Sequence, residues 1–365
     1  MVRRVAAVVE QSWHRVPGGT AVSTVRTLDA IDRLDSIEVI GVAARHPNVA
    51  PPDVRPGVQV AHLPLPRLWM YEFWHRFRRP SVQRFTGPVD IVHATGGAVP
   101  PAGDAALVVT VHDLAFLHRP GHFTRQGVRF LTRGFELARR GARLIICPSD
   151  ATARDCMARG VEPERIRVVP WGVTPAEVDE AELGRIRARY DLPESFVLWV
   201  GTAEPRKNLR GLLAAMDRTE IDVPLVLVGP DGWGTDLEQL IATTNHPVKR
   251  LGQVPGADLS ALYTAARVFV YPSLLEGFGM PLLEAMAQGT PVVTSAGTAT
   301  EEVCGDGGFV VDPGELDAIA RRVTELVTDD QLHADLSARA LERAEAFTWS
   351  ATAELTVAAY EDALR

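Results

Sequence analysis

Two glutamates eight positions apart, Glu276 and Glu284, flank a Gly-Phe-Gly-Met-Pro turn in the stretch YPSLLEGFGMPLLEAMAQGTPVV, residues 271–293. A carboxylate accepts two hydroxyl hydrogen bonds at once, which suits a ribose diol or a sugar ring. The turn between them opens onto a helix N-terminus, whose N–H groups and dipole attract an anion. On this reading the backbone N–H groups of Phe278, Gly279 and Met280 take a phosphate. Glu284, placed in the first turn, takes a ribose, and Glu276, in the loop, takes a second sugar. A further cluster, Gly201-Thr-Ala-Glu-Pro-Arg206-Lys207-Asn208, sets a guanidinium fork beside a flexible ammonium, which suits a diphosphate. Cations are disfavoured at a helix start. Lys207 is also one of only two lysines, against 36 arginines. Its placement therefore argues for a ligand.

Each cluster needs a strand to deliver it and a helix to follow it. Before the glutamates, residues 267–273 (RVFVYPS) form a short β-branched and aromatic run, and residues 290–294 (TPVVT) form another. Pro281 suits the first turn of the intervening helix and Gly289 its end. The unit is strand, glycine loop, short helix, strand, as in a parallel sheet. The same alternation runs through the chain. Strands are expected at 4–9, 39–43, 58–63, 90–93, 106–112, 144–147 and 167–169, and a second series at 196–200, 225–228, 248–251, 268–271, 292–294 and 308–311. Amphipathic helices are expected between them, for example at 208–216 and 259–266. Residues 169–175 (VPWGVTP) read as a linker. The expected fold is α/β, with two doubly wound, Rossmann-like domains facing a central cleft where ligands bind at strand C-terminal ends.

At 365 residues the chain is long enough for two domains. Its charge of −8 conceals an asymmetry: residues 1–175 hold 23 arginines against 15 acidic residues, and the remainder 15 basic against 31 acidic. Such a split fits two units with different partners. No apolar run reaches the ~18 residues of a membrane span, and the N-terminus MVRRVAAVVEQSW reads as a buried first strand rather than a secretory signal. Cys147, Cys156 and Cys304 have no metal-ligand or redox spacing, which points to a reduced, cytoplasmic setting. A P-loop is excluded because neither lysine follows a glycine. Pro17-Gly18-Gly19-Thr20 after the first strand is not a dinucleotide fingerprint. No D-x-D occurs, so the expectation is no metal and no cofactor, with diphosphate charge met by protein groups.

At this point the residues themselves carry a resemblance. E-G-F-G-M-P-L-L-E-A-M-A-Q-G-T-P-V-V resembles the E-x7-E signature of retaining nucleotide-sugar glycosyltransferases, family 4, of the GT-B fold. Supporting segments are Gly18-Gly19, Val111-His112-Asp113, Pro148-Ser149, Glu-Pro-Arg-Lys-Asn at 204–208, Leu251-Gly252-Gln253-Val254 and Glu302-Val303. The resemblance implies that Glu284 binds the ribose hydroxyls and Glu276 the donor sugar, with the backbone of Phe278, Gly279, Met280, Pro281 and Leu282 around sugar and phosphate. It implies Lys207 with Arg206 on the diphosphate, Gly18 and Gly19 near the donor phosphate, His112 on the acceptor side in contact with the donor sugar, and Val254 at the nucleobase. One departure stands out: many members carry arginine after the glycine at 201, where this chain has Thr202.

The implied domains are an N-terminal acceptor-side domain at 1–172, a donor-binding domain at 173–346 and a last helix at 347–365 crossing back to the first domain. The implied activity is metal-independent, retaining transfer of a hexose from a nucleotide diphosphate sugar to a glycan, lipid-linked or small-molecule acceptor, with a lean toward mannose from GDP-mannose. Two alternatives stay open: a nucleotide-sugar epimerase of the same fold, and a non-catalytic membrane-docking scaffold, against which the intact Glu276, Glu284 and Lys207 set argues. His112, His118 and His122 match no zinc spacing. Residues 67–85 (RLWMYEFWHRFRRPSVQRF) mix five arginines with six aromatic rings of Trp, Tyr and Phe. They read as a domain helix with one face buried, or as a peripheral contact with an anionic membrane. No nucleic-acid reader motif accompanies the basic residues.

Overall fold

A computed structural model describes residues 3–34, 36–232 and 236–365. The chain divides into two compact units, one formed by Met1–Gly172 with Thr348–Arg365 and the other by Val173–Phe347. Both are parallel sheets covered by helices. In the first, strands β1 (Arg3–Val8), β2 (Ile37–Ala43), β3 (Val60–His62), β4 (Ile91–Ala94), β5 (Ala106–Thr110), β6 (Leu144–Cys147) and β7 (Ile166–Val168) lie in the order β3-β2-β1-β4-β5-β6-β7. In the second, β8 (Val197–Val200), β9 (Leu225–Val228), β10 (Val248–Gly252), β11 (Val268–Tyr271), β12 (Val292–Ser295) and β13 (Phe309–Val311) lie in the order β10-β9-β8-β11-β12-β13.

The central strands form because their residues are apolar on both faces, as a sheet covered on two sides requires, whereas the edge strands β3, β7 and β10 are only partly buried. Along β1, Ala6 and Val8 enter one core while Val5 and Ala7 enter the other. The second core is closed by Leu28 and Ile31 of the helix Gly18–Asp32 and by Ala359 and Tyr360 of the helix Trp349–Ala363. Tyr360 also bonds His93 Nδ1 at 2.7 Å, so the C-terminal helix is locked to β4. Helix starts carry side-chain caps where the sequence supplies them: Ser149 accepts from Thr152 N, and Thr348 from Ala351 N. Gly172 has a steric reason, since a Cβ there would lie 2.2 Å from Trp349 N.

In both sheets the order reverses beside the first strand: β1 sits between β2 and β4, and β8 between β9 and β11. Crossovers then leave on opposite faces, and the loops after the two central strands diverge to open a crevice. In the second sheet those are the loop after β8, residues 201–208, and the loop after β11, residues 272–279. Both expected clusters lie on them.

Candidate active site

The loop after β8 ends in a tight 3-10 turn, Pro205–Lys207, followed by Asn208 at φ 55° and the helix Leu209–Met216. The expected helix start at 208 is therefore a cap: Asn208 takes the left-handed conformation that Asn tolerates, and its Nδ2 donates to Pro313 O at 3.1 Å. A backbone bond from Leu274 N to Arg206 O, 2.8 Å, joins this loop to the one after β11.

Four charged side chains meet where the loops touch. Lys207 Nζ donates to Glu276 Oε1 at 2.7 Å and Arg206 Nη1 to Glu276 Oε2 at 2.9 Å. Arg206 turns its Nε and Nη2 to the two oxygens of Glu204, each at 3.2 Å. Lys207 also donates to the phenol of Tyr271, the last residue of β11. Glu204, Lys207 and Glu276 side chains are 6%, 9% and 7% exposed. Burial alone would push the Glu276 carboxyl up; the Lys207 and Arg206 cations outweigh it and hold it down at about 2. Burial first, then the Arg206 charge, lowers Lys207, with Glu276 opposing. Two carboxylates against two cations make the cluster formally neutral. The sequence reading assigned the cations to a diphosphate and Glu276 to a sugar, whereas in the structure they hold one another. Glu204 and Tyr271 are members that residue spacing alone did not single out. The signal available was the position of Glu204 two residues before Arg206, and of Tyr271 at a strand end.

Gly279 precedes the helix Met280–Ala287 at φ 100°, a conformation open to glycine, and a Cβ there would lie 2.6 Å from Thr300 Cγ2. Thr300 is itself tied through Thr294 Oγ1 (2.8 Å) to Tyr271 O (3.1 Å), so the turn is braced against β11 and β12. Phe278, Met280 and Leu282 are buried, and Pro281 is partly so. Because the helix begins at Met280, Glu284 lies beyond its first turn, which corrects the expected placement. Its Oε2 accepts from Tyr263 OH at 3.1 Å. Burial dominates there and, with Tyr263 opposing, raises the carboxyl to about 7. Val254 is partly buried in the loop between β10 and the helix Gly256–Ala265.

Gly18, Gly19 and His112 belong to the other unit. Gly18 opens its helix at φ 62° with open space where a Cβ would stand. His112 lies two residues past the end of β5, which stops at Thr110 rather than running over the expected 106–112. Its Nε2 donates to Thr95 O at 2.7 Å, because a carbonyl only accepts. Nδ1 is then left as an acceptor, buried and without a hydrogen-bond partner among the described residues. Burial lowers the imidazole pKa, opposed by the Thr95 carbonyl and Asp113. It lines a cavity of about 20 Å³ with Thr24, His93, Thr110, Trp171 and Thr352. His118 pairs with Asp155 at 2.6 Å, and among the described residues no three His, Cys, Asp or Glu side chains converge as a metal site would need. Nor is any helix among them long and apolar enough to cross a membrane.

The chain is similar to known proteins in sequence and in fold. The model for glycosyl transferases group 1 covers residues 185–343, and that for glycosyltransferase family 4 covers residues 17–177. The O-antigen chain mannosyltransferase B of Escherichia coli is 37% identical over 265 residues, 70% of each chain. The MMP alpha-(1->4)-mannosyltransferase of Mycolicibacterium hassiacum is 34% identical over 63% of this chain, which spans 57% of that relative. The solved structure of Anabaena HepE with UDP and glucose superposes with a TM-score of 0.74 over 98% of both chains at 20% identity, a likeness of fold. The chain belongs to the group 1 glycosyltransferases of the GT-B fold.

Proposed function

We propose that this glycosyltransferase moves mannose from GDP-mannose to a glycan, lipid-linked or small-molecule acceptor, with retention and without a metal or cofactor. The observation that carries this reading is Glu276 held at about 2 by Lys207 and Arg206 on two loops at the sheet's switch point. An ionised, oriented carboxylate is ready to accept sugar hydroxyls. When a sugar nucleotide enters, its diphosphate offers the two cations a second anion, and the helix at Met280 adds backbone N–H groups. Charge grows on the departing diphosphate as the sugar bond breaks, so cations already in place stabilise the transition state most. Glu284 takes the ribose and Val254 borders the base. From the other unit, the Gly18 and Gly19 backbone approaches the donor phosphate, and His112, on the acceptor side, contacts the donor sugar.

Mannose is favoured because both relatives described above are named as mannosyltransferases. Retention is favoured by the α-linkage in one of those names, since sugar nucleotides of this kind carry an α-linked mannose. The test is incubation with GDP-mannose, UDP-glucose and dTDP-glucose, with and without excess EDTA. NMR then reads the anomeric configuration of the product. GDP-mannose turnover that survives EDTA and yields an α-product supports the reading. Absolute dependence on added Mg²⁺ or Mn²⁺, or a β-product, overturns it. Release of free sugar and nucleotide irrespective of acceptor would favour an epimerase.

A further inference from the structure

Residues 67–85 were expected to form one helix, and the structure breaks it in a way that sorts its side chains. The α-helix Arg67–Glu72 runs into a wider π-turn at Phe73–Phe77, and Arg78 ends it at φ 53°. One face is sealed into the unit: Met70 and Trp74 are fully buried, and His75 stacks on Phe130 with centroids 4.7 Å apart. Arg78 belongs to that sealed side, since its guanidinium donates to Trp74 O, Val99 O and Pro100 O at 2.7–3.0 Å.

The opposite face is unlike the rest of the surface. Leu68, Trp69 and Phe77 are 67%, 61% and 56% exposed. Trp69, Phe73 and Phe77 follow one another at helical spacing, with ring centroids 6.3 and 5.4 Å apart, and form a continuous aromatic stripe. Arg76 and Arg79 are exposed beside it, with the Arg76 guanidinium 5.6 Å from the Phe77 ring centre. The one acidic side chain of the segment, Glu72, lies 3.7 Å from Arg76.

We propose that Leu68, Trp69, Phe73 and Phe77, flanked by Arg76 and Arg79, seat this unit on the headgroup region of an anionic bilayer. Tryptophan and phenylalanine settle at the boundary between headgroups and acyl chains, and nearby arginines meet anionic lipid. A second copy of the chain is a poorer occupant, because a two-fold contact through this face would set like charges against each other. The surface does not depend on the sugar-transfer reading, so either can fail alone.

The test is co-sedimentation with vesicles of phosphatidylcholine containing about 30% phosphatidylglycerol, and with pure phosphatidylcholine. The wild-type protein is expected to pellet with the anionic vesicles, less so as salt is raised, and weakly with the neutral ones. Arg76→Ser with Arg79→Ser should lower partitioning roughly 25-fold, about fivefold per arginine. Trp69→Ser with Phe77→Ser should bring it to background, while Leu355→Ser, exposed elsewhere on the same unit, changes nothing. Should the double variants misfold, brominated lipid must quench wild-type tryptophan fluorescence more than that of Trp69→Phe. No binding to anionic vesicles, equal binding to neutral ones, or no response to either double variant overturns the proposal. So does a dimer that Trp69→Ser with Phe77→Ser dissociates.

Discussion

The Lys207 ammonium lies 2.7 Å from Oε1 of Glu276, and both side chains are more than nine-tenths buried. Arg206 is the second cation on that carboxylate, 2.9 Å from Oε2, so removing Lys207 leaves Glu276 with one charged partner instead of two. Lys207→Ala should cost turnover on the order of 10²–10³-fold, roughly 2.7–4 kcal/mol, more than it costs ground-state donor affinity. It should also lower stability by about 1.5–3 kcal/mol, because the buried Glu276 carboxylate loses one of its two charged hydrogen bonds. Lys207→Met combined with Glu276→Gln should therefore melt higher than Lys207→Met alone. Lys249→Ala is the control, since its partner Asp191 is fully exposed. Near-wild-type turnover in Lys207→Ala would remove the diphosphate role.

Glu276 and Glu284 titrate on opposite sides of the ordinary carboxyl range, and the signs differ accordingly. Glu276, depressed to about 2, contributes stability that is present above about pH 4.5 and is lost as pH falls toward 2. Glu284, raised to about 7, binds a proton more readily folded than unfolded. Its contribution therefore declines as pH rises from about 4.5 through 7. Ribose hydroxyls require the ionised form, so GDP affinity should rise between pH 6 and 8 with proton release on binding. Calorimetry in buffers of different ionisation heat measures this. Glu284→Gln should flatten the profile, and Glu284→Ala should weaken GDP by about 1–3 kcal/mol. Glu276→Ala should chiefly reduce turnover. The reverse pattern would invalidate both assignments.

Glu204 grips Arg206 through both oxygens while the far nitrogen of Arg206 reaches Glu276. Glu204→Gln frees one side of that fork and leaves the Lys207–Glu276 contact in place. Loss of charged hydrogen bonding of this kind is worth about 1.5–3 kcal/mol. Turnover should fall roughly 10–100-fold, with partial recovery in Glu204→Asp. Unchanged steady-state kinetics would mean that Arg206 needs no such support.

Gly279→Ala tests the turn that starts the helix. At φ 100°, with Thr300 Cγ2 2.6 Å from the added carbon, alanine is strained twice. A left-handed non-glycine residue alone costs about 1–3 kcal/mol. The melting temperature should drop and GDP affinity with it. Gly279→Ala combined with Thr300→Ser should recover only the steric part.

Local pattern was enough to reveal the strands and the glycine turn, because both depend on neighbours in the chain. Continuous apolar runs such as Val268–Tyr271 can be nothing but covered strands here, and Pro281 with Gly289 brackets a short helix. The family's E-x7-E spacing is likewise local. Strand order is not, and the charge pairing follows from it. Only when β8 and β11 lie side by side do the loops after them touch, and only then can Glu276 take Lys207 and Arg206 as partners across about seventy residues. The inward turn of Arg78, the burial that raises Glu284 and the entry of Glu204 into the site have the same origin. Each is decided by desolvation and by partners distant in the chain, and a side chain's charge in a sequence says nothing of the dielectric it will meet.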